Sequence, residues 1–355
     1  SYSGITTLYS LVTSPPALNV GVCRAPDFDM YRHLFAPGGI VNYWFVDTWG
    51  GCTAELDRNH IKALYADGYF PKPKSGADHV LGVRPVDQDT DGSLLAHAVA
   101  EHKTNFNIAA QRDAIDYIDN FWTQHNPPVF DPDYRSNIEK AGTPIVIRCG
   151  WHDAATQLGA LSMFATFSSP VQAIIGPWNH DGSYHVDPFT DDPAAPLATD
   201  TAEAHALTVQ SLNDYFLAPN THPKRQVDYY TLGENRWKTT TTWPLPNTQM
   251  QRWYCGNNHQ LTLKRPTTDT GFDHYQVDPT TSTGQFNRWY AQASNQPICF
   301  PDRQDEDKKL LIYDTPPLNE DVEITGHPVV QLYLRANTED AQFFVYLETV
   351  DPDGR

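Results

Sequence analysis

The sequence is short of charge, and shortest of positive charge: only 19% of residues are Asp, Glu, Lys or Arg, with 25 basic against 43 acidic. The net charge of −18 repels phosphate backbones and anionic lipid, so neither nucleic acid nor membrane is an expected partner. No run approaches the roughly 20 apolar residues of a membrane span, and the first residues carry neither a basic nor an apolar leader-like stretch. Cysteine is sparse. Cys23, Cys52, Cys149, Cys255 and Cys299 form no C-x-x-C and no Cys/His pairing at zinc spacing, which argues against a structural metal. Internal repeats and low-complexity tracts are absent as well. What remains is ordinary globular material, 355 residues at 40% hydrophobic with nine Trp and 18 Tyr, enough for two or three domains. Compartment and self-association into a homo-oligomer are left open by these features.

Three textures follow one another along the chain. Residues 1–30 read as turn, helix, loop and strand, ending in the short apolar run LNVGVC. Residues 31–141 carry helix-period apolar residues with almost no strand alternation, which predicts a helical insertion. The runs TPIVIRCG, LGALSMFATF and VQAIIGPW then give strand, helix, strand, so an α/β core with a parallel sheet is expected from residues 1–30 and 142–220. From 221 to 355, short aromatic and β-branched runs such as QVDYYTL, VVQLYLRA and AQFFVYLETV, separated by turn residues, predict a β-sandwich.

The chemistry-bearing residues fall at predicted strand ends. Asp153 follows one buried strand in IRCGWHD and His180 follows the next in IIGPWNHDG, where α/β sheets place their sites. A buried acid can orient an imidazole, fix its tautomer and make it a base for a serine hydroxyl. Ser1, in Ser1-Tyr2-Ser3-Gly4 ahead of a predicted helix, supplies such a hydroxyl, and the order Ser, Asp, His is that of α/β hydrolases. Each residue also has a structural reading. Asp153 could simply cap the helix that begins near Ala154, and His152 is a competing imidazole whose side chain should point elsewhere.

These motifs resemble the CocE/NonD hydrolases, the cocaine esterase-like acyl esterases related to X-prolyl dipeptidyl aminopeptidases and α-amino acid ester hydrolases. The family's nucleophile motif G-x-S-Y-x-G corresponds to Ser1-Tyr2-Ser3-Gly4, its GW[YF]D to Gly150-Trp151-His152-Asp153, and its GPW-x-H to Gly176-Pro177-Trp178-Asn179-His180. Scaffold stretches match too, in YYTLGENRWKTTTTWPLP and VYLETVDPDGR. The resemblance implies an α/β hydrolase fold with a helical cap at 31–141 and a C-terminal jelly-roll-like β-sandwich. It implies a serine hydrolase acting on a small ester or short peptide without cofactor or metal. Ser1 would be nucleophile, His180 general base and acid, Asp153 its orienting acid, and the Tyr2 backbone N–H one oxyanion donor, while Trp151 and Trp178 could line an acyl pocket. The family's second oxyanion donor is a tyrosine hydroxyl well upstream of the nucleophile, so this chain alone is expected to be a poor enzyme.

Two departures from the pattern stand out. The glycine two residues before the nucleophile is absent because the chain starts at Ser1, and His152 replaces an aromatic residue. The first, together with an ending inside a turn after a strong strand, leads to the expectation that the natural protein extends at both ends. Members that bind a free α-amine use nearby acids, for which Asp27, Asp29, Asp131, Asp133 and Asp181 qualify equally. Two rival readings remain: an N-terminal nucleophile hydrolase using the Ser1 amine, and a non-enzymatic β-sandwich in which Trp237, Trp243, Trp253 and Trp289 bind carbohydrate or a protein.

Overall fold

Helix α1 (Tyr2–Thr13) buries Gly4, Leu8 and Leu11, a spacing that puts all three on one helical face. That face lies on strand β1 (Gly21–Arg24), and a side chain at position 4 would collide with the backbone carbonyl of Arg24. Glycine in the opening motif is therefore a packing requirement. The computed structural model describes residues 2–66, 85–123, 127–180, 182, 184–186, 197–198, 201–217, 225–268, 271–284, 287–294 and 298–351. Ser1 and Asp181 lie outside them. The chain forms two compact units, Ser1–Thr239 with Phe286–Cys299 and Thr240–Gln285 with Phe300–Arg355.

After β1 the first unit is helical, with α2 (Tyr43–Asp57), α3 (Ile61–Ala66), α4 (Ser93–Glu101), α5 (Ile108–Gln111), α6 (Ile118–Thr123) and α7 (Pro132–Ala141), and no strand among the described residues there. Local chemistry sets the boundaries. The Asn42 side chain accepts from the Phe45 N–H to cap α2; α7 has Asp131 as cap, Pro132 in its first turn and Gly142 at φ 63° as its stop. Phe35, Val46, Ile115 and Phe121 form the apolar centre of this segment.

The sheet then resumes with β2 (Ile145–Gly150), α8 (Thr156–Thr166) and β3 (Val171–Gly176), every residue of both strands being buried. A two-residue pair, β4 (Tyr184–His185) and β5 (Leu197–Ala198), and helix α9 (Thr201–Leu217) lead to β6 (Gln226–Thr231) and β7 (Arg236–Thr240). Sheet order is β1-β2-β3-β6-β7, with β1/β2, β2/β3 and β3/β6 parallel. Fully buried central strands joined by helical crossovers explain the unbroken β-branched runs in the sequence.

Beyond residue 220 the described residues form few strands. Gln226–Thr231, whose alternation reads as a sandwich strand, pairs with β3 and extends the central sheet. Residues 288–294 form helix α10 (Arg288–Ser294) in the first unit. The second unit holds β8 (Tyr254–Cys255), β9 (Leu261–Thr262) and α11 (Gln304–Asp307). From 315 to 351 there is no strand, and Val329, Tyr333 and Phe344 are exposed. Strands need laterally paired neighbours. In this unit only the two-residue β8/β9 pair and one bridge, Gln260 to Asp314, supply ladder bonds among the described residues, so the alternating runs stay unpaired.

Candidate active site

Register explains how residues 27 positions apart meet. Gly150 at the end of β2 pairs with Gly176 at the end of β3, so both loops leave the sheet at one level. The loops are then laced together: Trp151 N–H donates to the Gly176 carbonyl at 2.9 Å and His152 N–H to the Trp178 carbonyl at 3.3 Å. A side chain at 150 would strike the Trp178 backbone, and one at 176 would strike its indole. The two motif glycines thus allow the close approach of the loops.

In that arrangement Asp153 Oδ1 lies 2.7 Å from His180 Nδ1. Asp153 is fully buried, while the His180 side chain keeps 13% exposure. Nδ1 facing the carboxylate leaves Nε2 as the basic atom. The backbone around each residue is held. Asp153 accepts at its carbonyl from Thr156 N–H and Oγ1, Ala154 follows in a left-handed conformation at φ 43°, and the Ala154 N–H donates to Arg288 of α10 at 3.2 Å. On the other side Asn179 bonds Tyr184 through both backbone and side chain, and Val186 N–H donates to the Pro177 carbonyl. Asp153 does begin the turn into α8, but its side chain goes to the imidazole and not to a helix N–H.

His152 is half-buried, with its ring Nε2 covered. Burial first, then the charges of Arg288 and His185, push it down to about 4. A histidine depressed in this way contributes stability that is present above its ordinary value near 6.5 and lost as pH falls through about 4. His152→Phe should therefore shift the acid-unfolding midpoint to lower pH, read by circular dichroism; coincident acid transitions would contradict this burial. Thiols at this sheet are poor nucleophiles. Burial pushes Cys23 up to about 12 and raises Cys149 too.

The remaining sequence candidates divide. Tyr2 is the first residue of α1, is exposed, and its hydroxyl accepts from Trp49 Nε1 of α2 at 3.2 Å. Trp151 is half-buried, with its indole N–H on the Tyr230 carbonyl at 2.8 Å. Trp178 is corrected from pocket wall to core: it is 1% exposed, packed with Val146 and Ile174, 5.6 Å from the Trp237 ring and beneath Arg148. Trp237 and Trp289 are packing residues as well, Trp289 lying 6.2 Å from Phe45, while Trp243 donates to His327. Asp29 is engaged by Arg32 and Asp131 by its capping bond. Asp27, by contrast, is buried, and both its oxygens accept from Gln292 of α10. Local sequence carried no signal for Gln292 or Arg288, because their partners are remote in the chain. Among the described residues no His, Cys, Asp and Glu group could hold a metal, and no helix is long and apolar enough to cross a membrane.

Comparison with known proteins gives the family. The model for the X-Pro dipeptidyl-peptidase (S15 family) matches residues 1–182, and that for the X-Pro dipeptidyl-peptidase C-terminal non-catalytic domain matches 220–355. Proteins named as serine esterases from Mycobacterium bovis and Mycobacterium tuberculosis are each 34% identical over the whole chain, which spans 58% of their length. Cocaine esterase from Rhodococcus sp. is 23% identical, with 62% of its length covered. The crystal structure of an aminopeptidase from a marine sediment Thaumarchaeota archaeon aligns with 77% of this chain and 43% of its own, at 18% identity and a TM-score of 0.45. The chain spans about 60% of the length of these curated relatives, and with the family model covering 182 of its 355 residues, it belongs to the X-Pro dipeptidyl-peptidase (S15) family of α/β-hydrolase-like proteins.

Proposed function

We propose that this chain carries the catalytic residues of a serine hydrolase acting on an ester or amide bond. The observation that carries the reading is the 2.7 Å bond between a fully buried Asp153 and His180 at the ends of adjacent parallel strands. Ser1 attacks the carbonyl carbon while His180 Nε2 takes the hydroxyl proton, and the Tyr2 backbone N–H, at the start of α1, faces the developing oxyanion. His180 then returns the proton to the leaving alcohol or amine, and water releases the acyl group by the same route reversed. Asp153 holds the imidazole by Nδ1 and offsets the imidazolium charge. The helices of 31–141 serve as a cap, a reading supported by the Trp49–Tyr2 contact, and Trp151 borders the acyl group.

An ester is the substrate class taken first, because the two mycobacterial relatives that are 34% identical to this chain are named as serine esterases. Of the five acids that could receive a free α-amine, Asp27, Asp29 and Asp131 are each engaged within the protein. The chain is expected to hydrolyse a p-nitrophenyl acyl ester faster than an Xaa-Pro p-nitroanilide, with ester turnover lost in His180→Ala. Equal turnover in that variant would reject the reading and favour a Ser1 amine base; preference for the anilide would reject only the ester assignment.

A further inference from the structure

Asp27 is a buried carboxylate that the hydrolytic steps leave unused. It lies three residues past Arg24, in the loop leaving β1, while Asp153 and His180 lie in the loops leaving β2 and β3. Three adjacent parallel strands thus deliver two acids and a histidine to one end of one sheet. Packing holds the first loop there, since Gly159 of α8, the helix entered from Asp153, lies directly against Pro26 and Phe28. Asp27 is 7% exposed, and both oxygens accept from Gln292 Nε2, at 3.0 and 3.2 Å, across 265 residues of chain. The same helix gives its Arg288 carbonyl to Ala154. One return segment therefore braces the acid loops of β1 and β2 together.

This carboxylate is costly to keep. Burial pushes Asp27 up to about 6 against the Gln292 bond, which favours the ionised form. The charged groups acting on it among the described residues are Asp153, which repels it, and His180, which attracts it. Beside the Gln292 bond, the imidazolium that hydrolysis creates on His180 is a favourable counterpart for this charge.

We propose that Asp27, held by Gln292, is a positioning residue of the hydrolytic site whose negative charge steadies the imidazolium formed on His180. It exchanges no proton with substrate and acts through the histidine alone. This rests on the reading of Asp153 and His180 as the catalytic pair.

The test is Asp27→Asn in the full chain, assayed on a p-nitrophenyl acyl ester at pH 8, where Asp27 is ionised. A carboxyl raised by burial contributes stability that is present below its ordinary value of 3.8 and lost as pH rises through about 6. Removing its charge should therefore raise the thermal midpoint at pH 8, by about 3 °C or more. The same substitution should lower kcat roughly tenfold or more with KM little changed. A merely structural acid would not trade stability against kcat in this way. Gln292→Leu, which removes the donor favouring the ionised form, should move the acid limb of the kcat profile to higher pH. Unchanged kcat in Asp27→Asn, or loss of kcat together with a lowered midpoint, overturns the proposal. His180→Ala separates the two levels: if it is inactive while Asp27→Asn turns over normally, only the role of Asp27 fails; if it is active, the hydrolytic pair itself fails.

Discussion

Asp153→Asn should lower kcat for ester hydrolysis by about 10⁴-fold, with KM little changed and the fold retained. The size follows from where the side chain sits. Asp153 Oδ1 is the acceptor for His180 Nδ1 at 2.7 Å, and burial removes water that could replace it. An asparagine of the same shape can present its NH2 to Nδ1 and so favour the tautomer with the proton on Nε2, the atom that must accept the serine proton. It also removes the charge that offsets imidazolium. Chymotrypsin-like enzymes give the magnitude for this type of change. Thermal unfolding of the same variant separates a catalytic loss from a collapsed site: a kcat loss with the midpoint held supports the assignment, whereas parallel loss of both would make Asp153 a structural acid.

Gly150→Ala should destabilise the first unit by about 4 kcal/mol or more, a large part of the roughly 5–15 kcal/mol that holds a domain folded, and so lower its thermal midpoint sharply. A Cβ at 150 meets the carbonyl, carbonyl carbon and Cα of Trp178, all backbone atoms that no rotamer change can move aside. Relief requires the β2 and β3 loops to part, breaking the Trp151–Gly176 and His152–Trp178 bonds that bring Asp153 to His180. Gly271→Ala is the control. Nothing lies within 4 Å of a Cβ there, and its expected effect is within about 0.5 kcal/mol. A Gly150→Ala protein unfolding at the wild-type midpoint would show that the close loop approach is not required.

Much of the first unit was legible because its signals are local. Unbroken runs of Ile and Val mark β2 and β3 as buried parallel strands, and helix-period apolar residues mark the helices between 31 and 141. Asp153 and His180 could be read as a pair from their placement just past those strands. What fixes their meeting, Gly150 opposite Gly176, was visible only as two glycines in motifs.

What was not legible depends on pairing over distance. The alternation in Gln226–Thr231 marks a half-buried strand, but which strand it joins depends on edges contributed by residues 171–176. The runs near 330 and 345 have strand-like patterns and no paired neighbour in the structure. Trp178 was ambiguous as to side: a tryptophan two residues past a strand can turn outward to a substrate or inward to the core, and the space above Gly176 draws it inward. Asp27 was recognised only as one acid among several. Its bond to Gln292 depends on a segment that returns to the first unit after a long excursion through the second.

The most direct measurement is covalent labelling of the chain with a fluorophosphonate, followed by mass-spectrometric mapping of the labelled peptide, in wild type, Asp153→Asn and His180→Ala. A serine activated by the buried pair predicts label on Ser1 in the wild type, slowed by orders of magnitude in both variants although both remain folded. Label on a different residue, or label on Ser1 at undiminished rate without His180, would contradict the Ser1–His180–Asp153 account.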